Sequence, residues 1–446
     1  MHSQQILDCI RTAGVVGAGG AGFPTYRKLE ASVDQIIING AECEPLLTKD
    51  REVMLREGEA LLRGIDVIAE LTGAERITLA VKQKNRDVLD LLGPGLRKRG
   101  YHSFVSDDVY PSGDEYVLVY DITGRQIPPG GIPPQVGCLV DNVETILNVA
   151  HAVEGEPVTR KWLTVTGAVA QPITTIVPVG TSLEDCIDLA GGATTDEPLV
   201  LTGGLMMGGV TTDLTDPVTK TIGGVIVLPQ NHYLARRKTA SQATYTRIGH
   251  GQCDQCSLCT ELCPRYLLGY PIEPHRVMRT LLMTGAPKEQ GSLWAQYCCE
   301  CNICSFIACP ESLDPKSICV DAKQVLREKG IGRDEAELEQ LFRPPHPARK
   351  GREVPIATLY QRLGLTPYNR TPEFVAGSLS PKSVRIRLDT HIGQPAEPQV
   401  RPGDRVVAGS VLADVPPKGL GCAVHASIDG RVVEVTKEYV QIDAAG

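Results

Sequence analysis

The stretch GAGGAGFP, Gly17 to Pro24, decides how the N-terminal part of the chain is read. Gly17, Gly19 and Gly22 spell G-x-G-x-x-G, which in a doubly wound sheet marks a strand-to-helix turn aiming backbone N–H groups at a pyrophosphate. Here the exit from the glycines fits that turn and the approach to them does not. Upstream, QQILDCIRTAGVVG places Ile6, Leu7, Ile10 and Val15 at helical spacing, and only Val15 and Val16 read as extended. Downstream, TYRKLEASV reads as a short helix, QIIING as a buried strand and AECEP as an acidic turn. Helix, glycine loop, helix, strand, acidic turn is not the Rossmann order, so the fingerprint alone does not assign the glycines.

With 446 residues the chain is too long for one core and is expected to divide into about three or four domains. A net charge of -8 argues against a nucleic-acid partner, which favours a basic face. There is no apolar run of the roughly eighteen residues that a membrane span needs. The N-terminal MHSQQILDCIRTAG lacks the basic-then-apolar pattern of a secretory signal. The expectation is a cytoplasmic protein that would meet a membrane only through a partner.

The fifteen cysteines are unevenly spread, with nine of them between Cys253 and Cys309. In a reducing compartment such clustering indicates metal or redox chemistry rather than disulfides. CDQCSLCTELCP sets Cys253, Cys256, Cys259 and Cys263 in C-x2-C-x2-C-x3-C-P, the run that ligates 4Fe-4S clusters in bacterial-type ferredoxins. Zinc would need only paired C-x2-C or a Cys/His mixture, without the third cysteine and the proline. The second run, CCECNICSFIACP, supplies Cys298, Cys301, Cys304 and Cys309 and departs by one residue, with x4 in the last spacer. The adjacent Cys299 leaves its first ligand open between two positions, of which Cys298 keeps the spacing. Two such runs imply two clusters with crossed ligation. Cys253, Cys256, Cys259 and Cys309 would hold one, and Cys298, Cys301, Cys304 and Cys263 the other. Cys299 and Cys319 are read as small buried hydrophobes. The intervening IEPHRVMRTLLMTG looks helical.

Four separated pieces of the N-terminal part occur together: GAGGAGFPT followed by Lys28, NGAECEP, YPSGDE and DNVET. In this order they resemble the flavin- and NADH-binding subunit of respiratory complex I and, more closely, the RnfC component of Rnf electron-transport complexes. The resemblance implies an FMN- and NADH-binding fold with its own topology. The residues it points to for FMN and NADH are Gly17, Gly19, Gly20, Gly22, Lys28, Asn39, Glu42, Glu44, Tyr110, Gly113, Asp114, Glu115, Asn142 and Thr145. The glycines would let N–H groups converge on phosphate, and Lys28 would lie near it. The acidic residues would accept ribose hydroxyls, while Asn142 and Thr145 would bond the flavin's ribityl chain or phosphate. No protein residue is expected to be catalytic, since the flavin carries the hydride chemistry.

Further along, KWLTVTGAVAQPITTIVPVGTSLEDCIDLAGG gives strand, turn, strand and amphipathic helix, similar to the β-grasp SLBB domain of the same family. GGLMMGG (Gly203 to Gly209) is read as a backbone turn. The charged, Pro-rich RPPHPARKGREVP looks like a linker. From about Ser383, alternating VRIRL and RVVEV with turns between them indicate a small β domain. It resembles the barrel-sandwich hybrid, and Lys418 in PPKGLG lacks the setting of a lipoyl lysine. DTHIG (Asp389 to Gly393) approaches a cobalamin-binding D-x-H-x-x-G but is one residue short and is read as chance.

The expected architecture is multidomain, α/β and α+β. Residues 1–158 form the complex I-like FMN/NADH domain, 159–230 the SLBB domain, 231–330 the helical two-cluster ferredoxin-type domain, 331–380 a linker and 381–446 the barrel-sandwich hybrid. In RnfC proteins the last domain precedes the flavin domain. Its terminal place here matches the corrinoid-reducing branch that serves diol-degrading bacterial microcompartments. The resemblance implies that NADH reduces FMN, that two 4Fe-4S clusters pass the electrons singly, and that cobalamin is reduced so that a B12-dependent diol dehydratase can be reactivated. It also implies a cytoplasmic location inside a microcompartment, with a cluster-bearing shell protein and an adenosyltransferase as neighbours. The rival readings are an Rnf-like subunit feeding a membrane complex and a non-catalytic iron–sulfur relay.

Overall fold

The computed structural model describes residues 2–376, 379–416 and 419–445. It separates into two units, one made of Met1–Asp107, Gly137–Gln230 and Tyr368–Gly446, the other of Asp108–Val136 and Asn231–Pro367. Lys418 lies outside the described residues.

The first unit is built on a four-stranded parallel sheet in the order His102–Ser106, Arg76–Lys82, Gln35–Gly40, Cys138–Asn142. Ile36, Ile37 and Ile38 are all buried, as a parallel strand covered on both faces requires. The helices Gly58–Thr72 and Val143–Val153 lie side by side, and a side chain at Gly64 would come within 2.3 Å of the Ile146 carbonyl. Glycine is what lets these two helices approach. Gln35–Gly40, earliest of the four in the chain, has one later strand on each side. The order therefore reverses at Gln35–Gly40 and Cys138–Asn142, and the crevice beyond their carboxyl ends is where open α/β sheets bind ligands.

The same unit carries a six-stranded sheet in the order Glu373–Phe374, Ile173–Pro178, Arg160–Gly167, Gly224–Pro229, Pro198–Thr202, Gly209–Thr211. Helix Leu183–Leu189, capped by the Ser182 side chain, packs on it. The C-terminal residues form a four-stranded and a three-stranded sheet around Val384, Ile386, Leu412, Val424, Val432 and Ile442. Burial alternates along Ser383–Arg387, as the pattern of the sequence requires. This small domain leans on the glycine loop: the Ile392 amide donates to the Gly22 carbonyl at 2.9 Å.

The second unit is mostly helical and includes Gln242–Gln252, Pro274–Arg279 and Pro315–Glu328. The stretch read as a linker carries the helices Glu335–Leu341 and Ile356–Arg362, and Arg349 between them is buried against Asp121 at 2.6 Å. Beyond Pro367, in the first unit, the Phe374 ring stacks on Trp162 with centroids 5.6 Å apart.

Candidate functional site

In the first unit the glycine loop meets the crevice at the sheet's reversal point. Asn39 and Asn142 are paired in register on the adjacent strands Gln35–Gly40 and Cys138–Asn142. Asn142 caps the helix after it, accepting from the Glu144 amide at 3.0 Å, and a side chain at Gly19 would touch its Cβ at 3.3 Å. Gly20 and Gly22 have φ of 126° and 67°, in the left-handed region that favours glycine, and a Cβ on Gly22 would press on the Thr390 carbonyl at 2.9 Å. The exposed tip presents the amides of Gly19, Gly20 and Ala21, which find no acceptor among the described residues. Converging, unpaired N–H groups are what a phosphate needs.

The side chains around the loop are largely engaged with one another. Thr145, fully buried, accepts from the Ala18 amide at 2.9 Å, so it anchors the loop. Lys28 donates to the Val140 carbonyl and pairs with Asp141 at 3.1 Å. The Asn39 side chain accepts from the Ala41 amide at 3.1 Å, shaping the acidic turn. Both oxygens of Glu44 accept backbone amides, from Met206 at 2.8 Å and Met207 at 3.0 Å, so GGLMMGG is a turn that receives a carboxylate. A side chain at Gly204 would strike that carboxylate at 2.4 Å.

Beneath the loop lies a buried network that the residue pattern did not announce. Lys49 bridges Asp50 at 2.5 Å and Glu144 at 3.0 Å; Lys161 meets Glu144 at 2.5 Å and the Ala18 carbonyl at 3.3 Å; Asn142 donates to Asp50 at 2.9 Å. Two ammonium groups thus face two carboxylates. Burial, with Asp50 adding repulsion, outweighs the attraction of Lys49 and Lys84 and pushes the Glu42 carboxyl up to about 8. Burial likewise pulls Lys161 down to about 8, against the attraction of Glu144. The signal for Lys161 was its place on the same face of the strand as Leu163 and Val165, an inward position where a lysine needs a partner.

YPSGDE belongs to the second unit and serves the cysteine loops there. The buried Tyr110 hydroxyl donates to the Cys301 carbonyl at 3.0 Å. Asp114 caps helix Glu115–Thr123 and pairs at 2.9 Å with Arg265, which follows Cys263 and stacks 3.6 Å from the Tyr116 ring. Gly113 and Glu115 flank Asp114 and are half-buried.

The cysteines surround two cavities. Cys253, Cys256, Cys259 and Cys309 line one; Cys263, Cys298, Cys301 and Cys304 line the other, with Cys299 beside them. The two cysteine loops repeat the same backbone. Gln255 and Ser257 on either side of Cys256, and Glu300 and Asn302 on either side of Cys301, all hold positive φ, between 55° and 68°. Non-glycine residues rarely accept this conformation, and such strain concentrates at functional sites. It aligns Cys298, rather than Cys299, with Cys253. The extra residue before Cys309 is taken up by a π-helical turn over Cys304–Ala308, whose wider winding uses one more residue.

Burial and the nearby thiols Cys253, Cys309 and Cys256 push the Cys259 thiol up to about 12. A hydrogen bond from Cys301, helped by Arg265, draws Cys299 down to about 7. Among the described residues no three ligand side chains gather as they would around one ion. A cubane keeps its ligands apart at its corners, which suits cysteines ringing a cavity.

Four family models match the chain: the Nuo51 FMN-binding domain over residues 10–151, the SLBB domain over 163–209, a 4Fe-4S dicluster domain over 252–314 and the RnfC barrel sandwich hybrid domain over 370–445. The expected fold class is borne out, and the chain is an iron–sulfur flavoprotein of the complex I and Rnf type. A crystal structure of an NAD+-reducing NiFe-hydrogenase shares the fold at TM-score 0.50 and 22% identity, over 75% of this chain and 68% of that one. The cobalamin reductase PduS of Salmonella typhimurium is 42% identical over 99% of this chain and 97% of its own length, and that of Citrobacter freundii 42% over 99% and 96%. The RnfC-type component of the proton-translocating ferredoxin:NAD(+) oxidoreductase complex of Clostridium ljungdahlii is 31% identical over 59% of this chain and 56% of its own. The chain belongs to the PduS cobalamin reductase family.

Proposed function

We propose that this protein draws electrons from NADH and delivers them singly to a corrinoid, reducing cobalamin. The observation that carries the reading is that cobalamin reductases match the chain from end to end, C-terminal barrel-sandwich domain included, whereas the RnfC-type relative matches about three fifths of it. When bound, FMN accepts the hydride's two electrons and the 4Fe-4S clusters carry them one at a time. The chain's own residues bind and orient. The free amides of Gly19 and Gly20, on a loop shaped by Gly17 and Gly22, are suited to the FMN phosphate. Asn39 and Asn142 stand at the carboxyl ends of the strands, and Lys28 and Thr145 hold the loop and strand in place. Glu42 is proposed for the nucleotide. Glu44 and Asp114 are assigned to holding turns, and Tyr110 to holding the Cys301 loop. The two cysteine quartets are assigned as cluster ligands, with Cys298 preferred over Cys299.

No helix among the described residues is long and apolar enough to cross a membrane. The finer reading places the protein in a diol-degrading microcompartment beside a cluster-bearing shell protein and an adenosyltransferase. Co-purification from intact microcompartments tests that placement. For the activity, protein purified anaerobically with its FMN and iron quantified is mixed with NADH and hydroxocobalamin while the corrinoid spectrum is followed. Reduction of the corrinoid supports the reading. Reduced flavin and iron beside an oxidised corrinoid would overturn the acceptor and point to a protein partner.

A further inference from the structure

A cavity of about 410 Å³ opens in the second unit beside the Cys253 quartet, walled by the helices Tyr233–Lys238 and Gln242–Gln252 and by residues 312–314. We infer that this cavity is the seat of the electron acceptor, taking one edge of a corrin macrocycle. The inference rests on the reading that the acceptor is a corrinoid.

Three observations converge on it. The first is position. Leu313 lines both this cavity and the cysteine cavity, and its amide donates to Cys309 Sγ at 3.3 Å. The Leu313 carbonyl in turn accepts from Arg237 at 2.7 Å, and the other side of that guanidinium donates to the Tyr233 hydroxyl at 2.6 Å. Two hydrogen bonds and one residue thus join a cysteine of the quartet to an arginine in the cavity wall. Arg237 also bonds the Ser305 carbonyl at 3.0 Å, next to Cys304, so it is fixed at two points in and just after the second cysteine run.

The second is shape and chemistry. The volume falls in the range of small-molecule sites, which are mostly apolar with a few placed polar groups. Tyr233 and Ile248 are exposed at the opening, at 42% and 37%, and Tyr245 is braced behind by Asp321 at 2.9 Å. The space is too small for a whole corrinoid but admits the edge of its ring, which is all that electron transfer needs. Asn231, Thr244 and Ser312 offer hydrogen bonds to peripheral amides.

The third is charge. Arg236 is exposed on the lining, where it can meet a phosphodiester, while Asp314 is turned inward and engaged by Ser305 and the Ser317 amide. In the proposed step one NADH is oxidised to NAD+ and a proton. Two cob(III)alamin molecules each gain one electron to become cob(II)alamin, and each loses its axial water.

The test uses the flavin- and iron-replete protein, with aquacobalamin as the probe and two variants, Ile248→Trp to fill the opening and Arg236→Glu to reverse its charge. Binding is read by equilibrium dialysis without NADH, and reduction by the corrinoid spectrum with NADH. Ile248→Trp should keep NADH–ferricyanide activity and the iron–sulfur EPR signals, lose aquacobalamin binding and reduce it about tenfold more slowly. Arg236→Glu should raise KM for aquacobalamin with kcat retained. Normal binding and reduction by Ile248→Trp would overturn the cavity while leaving the reductase intact. Binding that Ile248→Trp abolishes, without reduction by the wild type, would uphold the cavity and overturn the reductase reading. Neither binding nor reduction by the wild type overturns both.

Discussion

At the cysteine loops the groups proposed to bind are side chains; at the glycine loop they are backbone amides, and the polar side chains nearby are spent on holding the backbone. Cys253, Cys256, Cys259 and Cys309 face a common cavity, whereas Thr145 and Lys161 bond the backbone of Ala18 and Asn142 bonds Asp50. A metal cluster requires one ligand type at fixed spacings, so its ligands can be read directly. A phosphate requires N–H groups in one geometry, which many sets of side chains can support. The first site is sensitive at its ligands, and the second at the network beneath it.

The largest effect should come from the cysteines. Cys309→Ser is expected to remove the cluster of the Cys253 quartet and about half of the iron, leaving the other EPR signal and the FMN content intact. Cys263→Ser should deplete the other signal. If each removed the signal assigned to its sequence neighbours instead, the crossed grouping would be wrong. Next comes the buried network. Lys161→Met leaves Glu144 with one ammonium fewer in a dry site and should cost about 3–5 kcal/mol in urea unfolding, with FMN lost on purification. A mild effect there would show that the loop is held by other contacts.

Thr145→Val removes the acceptor of the buried Ala18 amide and should cost about 1–2 kcal/mol. If that cost falls on the loop, it appears as roughly a tenfold rise in the FMN Kd, with the iron content unchanged. Last comes the pH dependence set by Glu42. Its carboxyl is raised from 4.5 to about 8 in the folded chain, so between those values the folded state holds a proton that the unfolded state has lost. Stability from this group is therefore full at the acidic end and is lost as pH rises through about 8. Glu42→Gln should flatten the difference in urea midpoint between about pH 6 and about pH 8.

Much of this was legible in the residues. The helix, loop, helix, strand order around Gly17, the strand–turn–strand–helix of the β-grasp domain and the alternation after Ser383 all appear where the periodicity put them. The roles of individual polar residues were less legible. Glu44 and Asp114 have the composition of nucleotide contacts, yet one closes on the Met206 turn and the other on Arg265, partners that lie about 150 positions or more away. Lys49 and Asp50, charged residues that open a helix and belong to no motif, are buried.

The sequence by itself determined the cysteine spacings, the glycines that free the loop backbone, and the family resemblance carried by four short pieces in order. These are local properties, set by the reach of a few bonds. The tertiary structure alone decided that Glu44 is spent on the Met206 turn, that Asp114 pairs with Arg265, and that Lys161 of the β-grasp domain supports the glycine loop. Each depends on groups far apart in the chain, where burial makes an unpaired charge too costly and so determines which side chains must meet.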